Sequence, residues 1–86
     1  MSRVTLYSTA SCAICSKAKF MLDKWQIAFE EIRIDNDADA RAEFDQRTDG
    51  ARTVPQIFID DKCIGGFSEL TELHMDGELD DLMQSN

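Results

Sequence analysis

The alternation of apolar and polar residues divides the chain into short strands and amphipathic helices. Val4 to Tyr7 is short, partly β-branched and aromatic, and it stops at Ser8-Thr9-Ala10-Ser11, as a first strand and its loop would. Cys12 then opens a helix. From Cys15 to about Trp25 the apolar positions Ala18, Met21, Leu22 and Trp25 recur at helical spacing, which leaves Lys17, Lys19, Asp23 and Lys24 for the wet side. Phe29 to Ile34 reads as a second strand with Ile32 and Ile34 on one face. Asp35-Asn36-Asp37 supplies turn and cap chemistry for a second helix over Ala38 to Arg47. Phe44 is that helix's main apolar anchor, and Asp49-Gly50 fits a stop signal.

Val54 to Ile59 reads as a buried strand, and Asp60-Asp61-Lys62 turns tightly into Cys63-Ile64, forming a hairpin. The Gly65-Gly66 pair permits unusual backbone geometry or close approach by a ligand. Ser68 is placed to cap a last helical region whose apolar contacts are Leu70, Leu73, Leu79, Leu82 and Met83, with Gly77 available as a break between two short helices. Phe20, Trp25, Phe29 and Phe58 are assigned to core packing. The order β-α-β-α-β-β-α calls for a parallel crossover at the front and an antiparallel pair at the end. The expected class is α/β: a four-stranded mixed sheet flanked by helices, which resembles the thioredoxin-like fold.

At 86 residues, without repeats or linker-like stretches, the chain fits one domain over residues 1–86. Its 43% apolar and 30% charged residues are globular in character, and no apolar run approaches the roughly 18 residues of a bilayer span. Nine basic against 17 acidic residues give a formal charge of -8, which disfavours nucleic acid and anionic membranes as partners. The segment from Met1 to Tyr7 is too short in its apolar part for a signal-peptide core, so the expected compartment is the cytoplasm. Thiols are kept reduced there, and the three cysteines are therefore read as chemistry rather than as a disulfide framework.

Cys12-Ala13-Ile14-Cys15 sets two thiols at the spacing of redox pairs, where a strand ends and a helix begins. A helix N-terminus stabilises an anion, which lowers the first thiol's pKa and makes Cys12 the expected nucleophile. Cys15, one turn inside, is the expected resolving thiol. The same spacing also begins many zinc sites. Structural zinc takes four ligands, however, and the chain offers only the isolated Cys63 and His74 besides the pair. Cys63 is read as a small core or half-core residue, and His74 as a packing or surface residue.

Three segments, Tyr7 to Cys15, Thr53-Val54-Pro55-Gln56-Ile57-Phe58-Ile59, and Ile64-Gly65-Gly66, together resemble the motifs of glutaredoxins in order and spacing, over nearly the whole chain. The likeness is to the small bacterial dithiol members. It implies a glutathione-dependent thiol-disulfide oxidoreductase that reduces protein disulfides and glutathione mixed disulfides, with Cys12 and Cys15 catalytic. It also implies a cis Val54-Pro55 bond beside the thiols, with Thr53, Val54 and Pro55 meeting the cysteinyl part of glutathione by strand-like pairing. Gly66, Phe67 and Ser68 would receive the γ-glutamyl carboxylate at a helix N-terminus. Glu69 would meet the γ-glutamyl ammonium, or serve only as a first-turn acid favoured by the helix dipole. On this reading no cofactor or metal is held permanently, glutathione is the reductant, and the chain acts as a monomer on disulfide-containing or glutathionylated proteins.

The chain departs from the family pattern between its cysteines, where Ala13 and Ile14 stand in place of the usual Pro and Tyr, and at Thr9, where many members carry Lys. Arg41, Arg47 and Arg52 are candidates to restore the lost positive charge. The small residue at Ala13 keeps open a [2Fe-2S] carrier or sensor with glutathione. The missing Lys and Tyr keep open a redoxin served by thioredoxin reductase.

Overall fold

The computed structural model describes residues 3–84. Met1, Ser2, Ser85 and Asn86, which the single-domain expectation includes, lie outside the described residues. The elements run β1 (Val4–Ser8), α1 (Ala13–Lys24), β2 (Phe29–Arg33), α2 (Ala38–Thr48), β3 (Gln56–Ile59), β4 (Lys62–Gly65), α3 (Phe67–Met75) and α4 (Glu78–Gln84). The strands make one mixed sheet in the order β2-β1-β3-β4. β1 lies parallel to β2 and antiparallel to β3, and β3 pairs antiparallel with β4.

The period-two alternation of the strands sorts the core onto the two sheet faces. Val4, Leu6, Ile57 and Ile59 pack with Ala18 and Leu22 of α1, Leu70 of α3 and Leu79 of α4. Tyr7 and Phe58 point the other way and pack with Ile34 and with Phe44 of α2. Tyr7 meets the rings of Phe44 and Phe58 edge to face, at 5.4 and 5.7 Å between centroids. Its hydroxyl donates to Glu43 and accepts from Arg47, both at 2.8 Å. Burial and the hydrogen bond to Glu43 raise the phenol above its ordinary pKa.

Local capping explains the helix boundaries. Asp37 starts α2 by accepting from the backbone N–H groups of Asp39 and Ala40 at 2.9 and 3.2 Å. The helix stops where Asp49 and Gly50 take left-handed φ values of 58° and 81°. Arg3 fixes the far end of the chain: it forms a forked pair with Asp60 and donates to the carbonyl oxygens of Leu82 and Met83 on α4. Trp25 stacks on His74, with ring centroids 3.8 Å apart, so the lone histidine packs where α1 meets α3.

The break available at Gly77 is used: its φ of 80° separates α3 from α4, so the element order closes on two helices rather than one. Four other sequence expectations need correction. β3 begins at Gln56 rather than Val54, since Pro55 has no N–H to give a ladder; the Val54-Pro55 bond is cis. Ser68 is not the cap of α3 but its second residue; the N-cap is Gly66, two positions earlier. Phe20 is 64% exposed rather than part of the core, because it lies on the side of α1 away from Cys15, Ala18 and Leu22. Cys63 is exposed as well, on the outer strand β4, with its thiol 3.8 Å from the Gln56 amide oxygen.

Candidate functional site

The loop from Ser8 to Cys12 carries the chain off the C-terminal end of β1 and into α1. It is anchored twice. The buried Ser8 hydroxyl donates to Glu31 at 2.6 Å, and Lys19 of α1 donates to the same carboxylate oxygen at 2.9 Å. These two hydrogen bonds, Ser8 first, hold the Glu31 carboxyl below its usual range. The Ala10 N–H donates to Asp35 at 2.9 Å, and Arg33 forks onto both oxygens of that carboxylate. The Arg33 guanidinium, and the Ala10 N–H after it, hold the Asp35 carboxyl down at about 2.

Cys12 is the N-cap of α1, in extended backbone, and its sulfur is the capping acceptor: the Cys15 N–H donates to it at 3.0 Å. The two sulfurs stand at disulfide-bonding distance, with Cα atoms 5.2 Å apart. Their exposure differs. Cys12 is half-buried, whereas Cys15 is 1% exposed and shares the helix's core stripe with Ala18 and Leu22. A small thiol reagent therefore meets Cys12 first. The Cys12 sulfur also lies 3.6 Å from the Val54 carbonyl oxygen, which brings the segment before β3 against the helix start.

That segment forms one wall of a groove of about 330 Å³ lined by Ile14, Lys17, Thr53, Val54, Pro55, Gly66, Phe67, Ser68 and Glu69. All seven residues that the resemblance assigns to glutathione thus border a single depression next to Cys12. Thr53 is held by the Gln56 side-chain amide, which donates to its carbonyl and hydroxyl oxygens at 3.1 and 3.3 Å. The glycine pair sets the opposite wall. A Cβ on Gly66 would stand 3.3 Å from the Pro55 carbonyl oxygen, so the absence of a side chain lets the two segments approach. Gly65 takes a φ of 116° and leaves no room for a Cβ, which would lie 2.9 Å from the Glu69 side chain. Glu69 turns back over it to accept the Gly66 N–H at 2.7 Å, satisfying an end group of α3.

One groove residue escaped the sequence reading: Lys17, assigned only to the wet side, borders the groove beside Ile14, which stands where the family usually has Tyr. The i, i+3 spacing of Ile14 and Lys17 just after Cys12 was the available signal. The arginine candidates fare differently. Arg41 pairs with Asp45, and Arg47 donates to Tyr7 and lies over the Phe58 ring at 4.1 Å, so neither borders the groove. Arg52 is exposed beside Thr53 and has no ion pair among the described residues. Cys63 borders a different groove, between β4, α3 and α4, of about 270 Å³. Among the described residues no three histidine, cysteine or acidic side chains converge as a metal site, and no helix is long and apolar enough to cross a membrane.

Comparison with known proteins gives a consistent match. The family model described as Glutaredoxin matches residues 4–64. Glutaredoxin 1 of Rickettsia typhi is 42% identical over 83 residues, covering 95% of this chain and 80% of the relative. Glutaredoxin 3 of Escherichia coli is 40% identical over 84 residues, covering 98% of this chain and all of the relative (100%). Among solved structures, a buckwheat glutaredoxin-glutathione complex superimposes with a TM-score of 0.83 at 31% identity, covering 96% of this chain and 77% of that one.

Proposed function

The chain belongs to the glutaredoxin family, thiol-disulfide oxidoreductases of thioredoxin-like fold, and from that premise we propose that it reduces disulfides at the expense of glutathione. Cys12 is the nucleophile of this reading and Cys15 the resolving thiol. The observation that carries it is the capping role of the Cys12 sulfur, which receives the Cys15 N–H at the start of α1. An N-terminal amide with no carbonyl partner in the helix stabilises a thiolate more than a thiol.

The chemistry balances over two electrons. The Cys12 thiolate attacks one sulfur of a client disulfide, forming a mixed disulfide and releasing the other client sulfur as thiolate, which takes up a proton. Cys15, deprotonated as it attacks, displaces the client from Cys12 and closes the Cys12-Cys15 disulfide. One glutathione thiolate then opens that disulfide at Cys12. A second attacks the bound glutathione sulfur, leaving glutathione disulfide and the free dithiol. A glutathionylated client needs only Cys12 and one further glutathione.

Glutathione fits the groove by chemistry. Its cysteinyl part pairs with the backbone at Val54, between Thr53 and Pro55. The γ-glutamyl carboxylate takes the free N–H groups of Phe67 and Ser68 at the start of α3. Glu69, one of whose oxygens already accepts the Gly66 N–H, offers its carboxylate to the γ-glutamyl ammonium. Lys17 provides positive charge for the glycyl carboxylate in place of the Lys that Thr9 replaces. A single-domain monomer over residues 1–86, working in the cytoplasm on protein disulfides and glutathione mixed disulfides, completes the proposal.

A coupled assay tests it. Turnover of a small mixed disulfide is expected with glutathione and its reductase, and none is expected with thioredoxin reductase alone; the reverse result would overturn glutathione dependence. Anaerobic reconstitution with iron and sulfide separates the cluster reading: visible absorption together with dimer formation would favour it over a purely thiol-based enzyme.

A further inference from the structure

The molecule carries a formal charge of -8, yet two of its unpaired cations lie on the exposed face of α1, one of them at the groove. Among the described residues, Arg3, Lys19, Arg33, Arg41 and Arg47 are each in an ion pair with a carboxylate. Lys17, Lys24, Arg52 and Lys62 have none. Lys17 borders the groove, Arg52 adjoins Thr53, and Lys24 closes α1.

Helical spacing relates these positions. Lys17, Phe20 and Lys24 stand at i, i+3 and i+7 on α1, on the side away from the buried stripe of Cys15, Ala18 and Leu22. Phe20 is 64% exposed and Ile14, at the groove end of the same surface, 50%. The sole acid on α1, Asp23, is exposed three residues beyond Phe20 and next to Lys24, and Lys19 is taken up by Glu31. The outer face of α1 is thus an exposed phenyl ring between two unpaired ammonium groups, running away from Cys12. Lone exposed apolar residues are ordinary. A lone aromatic framed by free cations on a strongly acidic protein, leading out of the candidate site, is a recognition surface for opposite charge.

We propose that this stripe docks the client: an acidic polypeptide segment flanking the disulfide or glutathionylated cysteine, its carboxylate on Lys24 and an apolar side chain on Phe20, beyond the Lys17 that the glycyl carboxylate of glutathione takes. The inference rests on the oxidoreductase reading above and extends it to substrate choice. The span from Ile14 to Lys24 is about 15 Å of helix, or about five residues of extended peptide. The acidic remainder of the molecule does not cancel the attraction at contact. Its charge is spread over a body of 34 × 25 × 22 Å, and exposed charges are screened beyond about 8 Å at physiological salt.

The test uses two glutathionylated peptides, identical except for aspartates or lysines beside the cysteine, together with the mixed disulfide of glutathione and hydroxyethanethiol. The native chain is expected to reduce the acidic peptide on the order of tenfold faster at about 0.15 M salt, where only charges within about 8 Å are felt. That preference should collapse as salt rises from about 0.15 to about 1 M, which shortens screening from about 8 to about 3 Å. Lys24→Glu should remove the preference, and Phe20→Ser should raise KM for the acidic peptide without changing kcat. Both variants should turn over the small mixed disulfide at the native rate, which also shows that they fold. Equal rates on the two peptides, or preference for the basic one, with normal small-substrate turnover, overturns the docking inference alone. Loss of small-substrate turnover in the native chain overturns the glutathione reading instead. A salt-sensitive dimer abolished by Lys24→Glu, with no peptide preference, would make a second copy the occupant and overturn the proposal.

Discussion

The backbone N–H of Cys15 donates to the sulfur of Cys12 across 3.0 Å, so one residue of the pair polarises the other through the peptide rather than through its thiol. In the reduced protein this donor favours Cys12 as thiolate. The Cys12 pKa is expected to fall below that of a free cysteine, because the helix-start N–H stabilises the thiolate. Thiolate absorbance followed against pH in Cys15→Ser checks this, since the side chain changes while the N–H remains. A value at or above that of a free cysteine would count against the mechanism. The same variant should keep part of its deglutathionylating activity, whereas Cys12→Ser should lose all of it.

Asp35 ties the loop before Cys12 to the end of β2 through Ala10, and Arg33 keeps its carboxyl ionised down to about 2. The unfolded chain binds that proton more readily, near 3.8. The contribution is therefore complete above 3.8 and is lost as pH falls towards about 2. Acid unfolding of the native chain and of Asp35→Asn should show a stability gap above that window that narrows through it. A constant gap would mean that the carboxylate charge is not responsible.

Gly65 and Gly66 should respond differently to alanine. At Gly65 the φ of 116° and the 2.9 Å approach to Glu69 both oppose a side chain, and urea unfolding should register a loss of about 1–3 kcal/mol. At Gly66 a Cβ would press on the Pro55 carbonyl oxygen, widening the groove. Gly66→Ala is expected to raise the KM for glutathione mixed disulfides more than it lowers kcat. Equal affinity in the variant would show that the groove is not where glutathione sits.

Tyr7 provides a control on the opposite sheet face. Its hydroxyl bridges Glu43 and Arg47, so Tyr7→Phe should cost about 1–2 kcal/mol in denaturant unfolding. Disulfide reduction should be unchanged. Loss of activity at full stability would point to coupling between the faces.

Much of the fold was legible in local pattern. Alternation marked Val4 to Tyr7, Asp37 announced α2 by its capping chemistry, and Asp49-Gly50 marked its end, because each signal involves groups only a few residues apart. Phe20 was misjudged by residue type although its phase on α1 pointed outward. Cys63 was misjudged because nothing local records that β4 is an outer strand whose first two residues face solvent.

The candidate site divides the same way. The sequence alone determined the Cys12-Cys15 spacing at a strand-to-helix junction and, through three motifs, which residues belong with it. Only the tertiary structure decided that those motifs border one groove, that Lys17 rather than Arg41 or Arg47 supplies charge there, and that Asp35 and Glu31 anchor the loop. Caps and helix faces depend on neighbours along the chain. Which distant carboxylate a loop finds, and which cations stay unpaired, depends on how the strands order themselves in the sheet.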